Sequence, residues 1–156
     1  MSETQPAQPS FSIEKLYVKD LSLEIPNAPQ VFMQADSPQL EVKVHNEATR
    51  FGDGLYEVVV TVTVTAKAGE KTMFLAEAAQ AGIFAIRGVP DGEIDPLLGI
   101  VCPTVVYPYV RETISDLITR GGFPPVLLAP VSFEALYAQR VQQQSQSAGP
   151  RIEIAN

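Results

Sequence analysis

LYEVVVTVTVTA, residues 55–66, decides the fold of this chain. Tyr56, Val58, Val60, Val62 and Val64 fall on one face of an extended segment. Glu57, Thr61, Thr63 and Thr65 fall on the other, with Val59 among them. A period of two, carried by β-branched residues, predicts a strand with one face in a core. Working outward, Lys67-Ala68-Gly69-Glu70 predicts a tight turn, and Thr72 to Arg87 returns as the hairpin partner. On the N-terminal side, Gly52-Asp53-Gly54 predicts another turn. Before it, Leu40 to Asn46 predicts a strand with Leu40, Val42 and Val44 inward and Glu41, Lys43 and His45 outward. Phe11 to Ile25 predicts a further strand that Pro26 ends, because proline cannot donate to the ladder. Phe11, Ile13, Tyr17, Leu21, Leu23 and Ile25 share its apolar face, interrupted by Lys15 and Lys19. Leu16 and Val18 interrupt the polar face. The sum is a four-stranded, largely antiparallel sheet. The connection from Pro26 to Pro38 is long for a hairpin and is expected to cross other strands.

The second half reads as helical, which makes the fold class α+β: a sheet plus one long helix and one C-terminal helix. Asp95-Pro96 is the expected helix start, with the aspartate as cap and the proline in the first turn. Pro103 and Pro108 are expected to kink or interrupt that helix. Val110, Ile114, Leu117 and Ile118 form its apolar stripe, and Gly121-Gly122 stops it. Phe123 to Pro130 must be extended. Ser132 then caps the last helix, whose stripe is Phe133, Leu136, Tyr137 and Val141. Residues 1–10 read as a polar leader, 11–144 as a single domain, and 145–156 as a mobile tail.

Between Leu97 and Pro130, 18 of 34 residues are apolar and only four are charged. Prolines and glycines break this run too often for a membrane span, and it is too apolar to lie uncovered. The helical part is expected to be covered by sister subunits. Val126-Leu127-Leu128 and Val31-Phe32-Met33, set among prolines, read as walls of surface grooves. The net charge of -7 and pI near 4.6 argue against nucleic acid or an anionic membrane as partner. A single cysteine excludes an intrachain disulfide and is compatible with a reducing compartment. No signal-peptide pattern opens the chain, so the expected location is the cytoplasm.

Catalytic chemistry is not legible. His45, the only histidine, falls on a polar strand face, and Cys102 reads as a buried structural thiol. There is no phosphate loop and no metal-ligand spacing, so no cofactor or metal is expected. A carboxylate-dependent metabolic enzyme stays as a remote alternative. Asp20 and Glu24 share a strand face with Ser22 between them, and Glu77 shares its face with Leu75.

The chain resembles the SecB family of bacterial protein-export chaperones. The resemblance lies in LYVKDLSLEIPNAPQVF (16–32), LYEVVVTVTVTA (55–66), FLAEAAQAGIFAI (74–86) and CPTVVYPYVRETISDLITRGGFPPVLLAPVSFEALY (102–137), with the QQQ run that follows. It implies an ATP-independent chaperone that binds unfolded preproteins, keeps them competent for translocation and passes them to the SecA ATPase. It also implies a homotetramer built as a dimer of dimers. Asp20, Glu24, Leu75 and Glu77 match the family's SecA-docking positions. Residues from Phe133 onward match a second SecA contact. Val31, Phe32, Leu127, Phe133, Leu136 and Tyr137 fall where the family's client grooves lie. Ala76, Ala78 and Gln80 match positions that influence assembly, the two alanines being smaller than the pattern, and Val110, Ile114 and Leu117 join them as expected interface. A SecB-like chaperone serving a toxin–antitoxin pair is the closest alternative. Neither nucleic acid nor direct membrane insertion is implied.

Overall fold

The computed structural model describes residues 8–34 and 37–147. Most of the expected leader and tail, residues 1–7 and 148–156, lies outside the described residues. Four antiparallel strands form one sheet: β1 (Ser10–Glu24), β2 (Gln39–Gly52), β3 (Leu55–Ala68) and β4 (Lys71–Arg87). Their spatial order is β1-β4-β3-β2, so the 26–38 connection carries the chain from one edge of the sheet to the other. It holds a 3-10 turn, Gln30–Met33, and is pinned by the Asn27 side-chain amide, which donates to the Thr72 carbonyl at 2.8 Å.

Two β-bulges account for the irregular alternation of β1. Ile13 pairs with Phe84 but Lys15 pairs with Ile83; Val18 pairs with Gln80 but Asp20 pairs with Ala79. Each extra residue reverses the facing of those that follow. Phe11, Ile13, Leu16, Val18, Leu21 and Leu23 therefore share the inner face, while Tyr17 turns outward, against the single-face reading.

The inner face packs on a helical run. It begins with α1 (Asp91–Pro96), passes through a π turn (Leu97–Val101) and continues as α2 (Cys102–Arg120). The run starts at Asp91, four residues before the expected Asp95 cap. Pro103 lies in the first turn of α2, where no amide is needed. Pro108 does not break the helix: it and Thr104 are both exposed, so the carbonyl left without a donor meets solvent. Gly122, at φ 87°, ends the run in the left-handed region.

Val58, Val60, Val62 and Val64 of β3 pack against Val106, Val110, Ile114 and Ile118 of α2, all fully buried. The apolar stripe of the long helix is thus covered by the chain's own sheet, while Val101 and Tyr109 of the same run stay exposed. Ala76, Ala78 and Gln80 lie beneath the same helix on β4 and are buried. The Gln80 side-chain amide oxygen accepts the Thr113 hydroxyl at 3.2 Å, which gives a partner to the one buried polar side chain of this core among the described residues. Val110 and Ile114 are likewise interior, and Leu117 is partly buried on the core. None of these except Leu117 has surface to offer another subunit. An influence on assembly from the rest must pass through the position of α2.

The last helix, α3 (Phe133–Ser147), runs three residues past the expected boundary at 144. Ser132 caps it, its Oγ accepting the Ala135 amide at 3.2 Å.

Candidate docking face and groove surfaces

The outward sheet face assembles the four acidic-site residues from two strands. Across β1 and β4, Asp20 sits opposite Ala79, Ser22 opposite Glu77, and Glu24 opposite Leu75. Both bulges lie before Asp20, so the run Asp20 to Glu24 keeps strict alternation and all four side chains face out together. Thr63 of β3, opposite Glu77, donates its hydroxyl to the Glu77 carboxylate at 2.9 Å. Among the described residues no Lys, Arg or His lies within ion-pair distance of Asp20, Glu24 or Glu77. Three carboxylates without a cationic partner, two of them beside Leu75, make a face suited to a basic polypeptide segment.

Farther along the same face stands a cluster that sequence reading missed. Tyr17 donates its hydroxyl to Glu57, and the Lys19 ammonium donates to the other Glu57 oxygen at 2.6 Å. The Lys19 hydrogen bond, then the Tyr17 hydrogen bond, hold the Glu57 carboxyl below its ordinary range. Burial, then the Glu57 contact, push the Tyr17 phenol up to about 12. The signal was present as Lys15 and Lys19 on an apolar face, which is what a bulged strand looks like in sequence.

The six groove candidates do not line one surface. Val31, in the 3-10 turn of the 26–38 connection, is buried on the core. Phe32 is half-exposed and stacks on Phe123 with ring centroids 5.1 Å apart; Phe123 in turn meets Phe74 at 4.7 Å. Phe133 is buried edge-on against Tyr107, whose hydroxyl donates to the Ala129 carbonyl at 2.5 Å. These two aromatic anchors hold the ends of the extended 123–132 stretch. Between them Val126 and Leu128 pack inward, while Leu127 is 86% exposed. Leu136 borders a recess of about 220 Å³ between α3 and β2, where Arg140 donates to the Asn46 side chain at 3.3 Å. The Tyr137 ring lies over Gly99, and its hydroxyl donates to Asp95 at 2.8 Å.

Further apolar surface comes from the sheet edges. Leu40 and Val42 face inward as expected, yet are 47% and 44% exposed, because the helices cover β3 and β4 rather than edge strand β2. Phe11, Ile13, Val18 and Leu21 are similarly half-exposed on β1, the opposite edge. Strand order decides which strands lie at an edge, and alternation alone does not reveal it. Cys102 is buried, and burial pushes its thiol up to about 12, far from a reactive thiolate at neutral pH. His45 is exposed. No helix among the described residues is long and apolar enough to cross a membrane.

An antiparallel sheet backed by one long helix, with an acidic outer face and apolar edges, defines an α+β protein whose surfaces suit polypeptide partners. Residues 4–144 match the family model described as preprotein translocase subunit SecB. A protein-export protein SecB of Methylobacillus flagellatus is 59% identical over 96% of this chain and 98% of its own length. That of Chromobacterium violaceum is 56% identical over 94% and 98%. The chain belongs to the SecB family. Among solved structures, a Mycobacterium tuberculosis SecB-like chaperone in complex with an antitoxin peptide superposes with a TM-score of 0.64. It covers 78% of this chain and 90% of its own, at 16% identity, which is a likeness of fold alone.

Proposed function

We propose that this chain is an ATP-independent export chaperone that binds unfolded preproteins in the cytoplasm, keeps them competent for translocation and hands them to SecA. The observation that carries the SecA step is the convergence of Asp20, Glu24, Leu75 and Glu77 on one outward sheet face, within a member of this family. Client binding falls to apolar surface that stays open in the protomer: Phe32, Leu127 and Leu136, with Val31, Phe133 and Tyr137 as the packed supports behind them. The half-exposed rows on β1 and β2 belong to the same reading. Apolar edge strands invite either another copy of the chain or an extended client. Assembly as a dimer of dimers would cover part of that surface and present several client sites at once, raising affinity through effective concentration.

The export role is favoured over an antitoxin-directed role because the export relatives share more than half of their residues with this chain, against 16% for the toxin–antitoxin relative. The test pairs two assays. The purified protein should suppress aggregation of a slow-folding precursor without nucleotide. Reversing charge at Asp20 and Glu24 (D20K with E24K) should weaken SecA binding at least tenfold, about 1.4 kcal/mol, and leave aggregation suppression intact. Equal loss of both activities in a folded variant would sink the assignment of separate surfaces.

A further inference from the structure

Next to the acidic residues, the outward face holds a recess of about 220 Å³ lined by Tyr17, Thr49, Phe51, Glu57 and Ile83. It lies farther along the same outward face as the acidic patch, with Tyr17 and Ile83 on the two strands that carry the patch. Tyr17 and Asp20 both face outward on β1, opposite Ala81 and Ala79, and the bulge residue Lys19 between them reaches across the same face to Glu57. Ile83 lies two residues beyond Ala81 on the same strand, on the recess floor. Phe51 stands over the recess from the end of β2 and is 54% exposed, although the outward positions around it are mostly polar.

Charge changes sign along this line. Asp20, Glu24 and Glu77 have no cationic partner among the described residues. In contrast Glu57, the one acid in the recess, is already paired with Lys19, and Lys15 flanks Ile83. A cation entering the recess would compete with Lys19. An apolar side chain would bury against Tyr17, Phe51 and Ile83 at no such cost.

We infer that the recess is the apolar half of the docking site: it takes one aliphatic or aromatic side chain of the same extended, basic polypeptide segment that the acidic patch holds. This rests on the docking reading above and adds a sequence rule for the partner. From Ala79, opposite Asp20, to Ile83 is four residues of β4, roughly 13 Å at strand rise. An extended segment laid along β1 and β4 therefore places its apolar residue about four positions from the lysine or arginine that meets Asp20.

The probe is a set of synthetic extended peptides with the same lysines and with leucine, alanine or lysine at that fourth position. Their binding to the full chain is measured by fluorescence anisotropy. The leucine peptide should bind about fivefold to tenfold tighter than the alanine peptide. The lysine peptide should gain nothing over alanine. The leucine advantage should vanish in Phe51→Ala, which strips the wall, and in Thr49→Phe, which fills the recess from an exposed position. Circular dichroism confirms folding of both variants. Asp20→Asn with Glu24→Gln should weaken all three peptides. Equal binding of leucine and alanine peptides, with charge dependence intact, overturns the recess and leaves the docking reading standing. A leucine advantage untouched by both recess variants also overturns it, by placing the leucine on another surface. Binding indifferent to Asp20 and Glu24 brings down the docking reading and this inference with it.

Discussion

Glu57 shows how much one side chain can organise on a flat sheet. It sits outward on β3 and receives Tyr17 and Lys19 from β1, across the intervening strand β4. Both donors favour its charged form, so its folded-state acidity exceeds that of an ordinary glutamate. The sign of the linkage follows. The contribution is fully present above the usual carboxylate range and is lost as pH falls through the depressed value. On the alkaline side the phenol of Tyr17, raised to about 12, keeps its proton past the ordinary value of 10.0. Glu57→Gln keeps the shape and an acceptor oxygen but loses the charge. Because the site is partly solvated, it should cost only about 1 kcal/mol near neutral pH. The cost should shrink toward zero in acid, below the depressed value. Urea denaturation of both proteins at neutral and acid pH checks this; a pH-independent difference would mean that the charge is not what stabilises the contact.

At the scale of elements, α3 is held to the rest of the fold by a few identifiable anchors. Phe133 seats its first turn and Arg140 reaches Asn46, but the middle rests on Tyr137 against the π turn. A Cβ built on Gly99 would lie 2.6 Å from Tyr137 Cδ2, so glycine is required for this approach. Gly99→Ala should push Tyr137 off, lengthen its bond to Asp95 and free α3. Hydrogen exchange across residues 133–147 should rise about tenfold or more, while exchange in β3 and β4 stays unchanged. Unchanged exchange in α3 would show that its other anchors, Phe133, Leu136 and Arg140, hold it without Tyr137.

The sheet was legible in sequence because β3 and β2 alternate cleanly and the turn at Gly69 brings β4 back as the hairpin partner, and the stop at Gly121-Gly122 was legible because the left-handed backbone at Gly122 favours glycine. The reading of β1 failed at Tyr17 because a bulge moves side chains between faces without leaving a turn residue. The helix start was misplaced because Asp95 has the composition of a cap, yet its carboxylate is used by Tyr137 from 42 residues away. The acidic patch was legible, since its two strand segments alternate strictly. The recess beside it was not, because it needs the facing of three strands at once.

The whole molecule raises the question of where its apolar excess goes. Ile114 illustrates the answer. It belongs to the apolar stripe that the sequence offers as a subunit contact, yet it is fully buried between α2 and the sheet. Its burial stabilises the protomer itself, and the apolar surface left open includes the edges β1 and β2, Phe32, Val101, Tyr109 and Leu127. Ile114→Ala should therefore lower unfolding stability by about 2–5 kcal/mol through cavity formation. It should leave the native mass of the assembly unchanged under conditions where the protomer stays folded. Leu21→Asp, on the half-exposed inner row of edge strand β1, should do the reverse. It removes little interior packing, so stability should change by less than about 1 kcal/mol. Yet it places a charge on surface that a second copy would bury, and the native mass should fall. Native mass spectrometry and urea denaturation on the two variants separate these roles. Loss of assembly in Ile114→Ala with Leu21→Asp still fully assembled would place the subunit contact on the helices and not on the sheet edge.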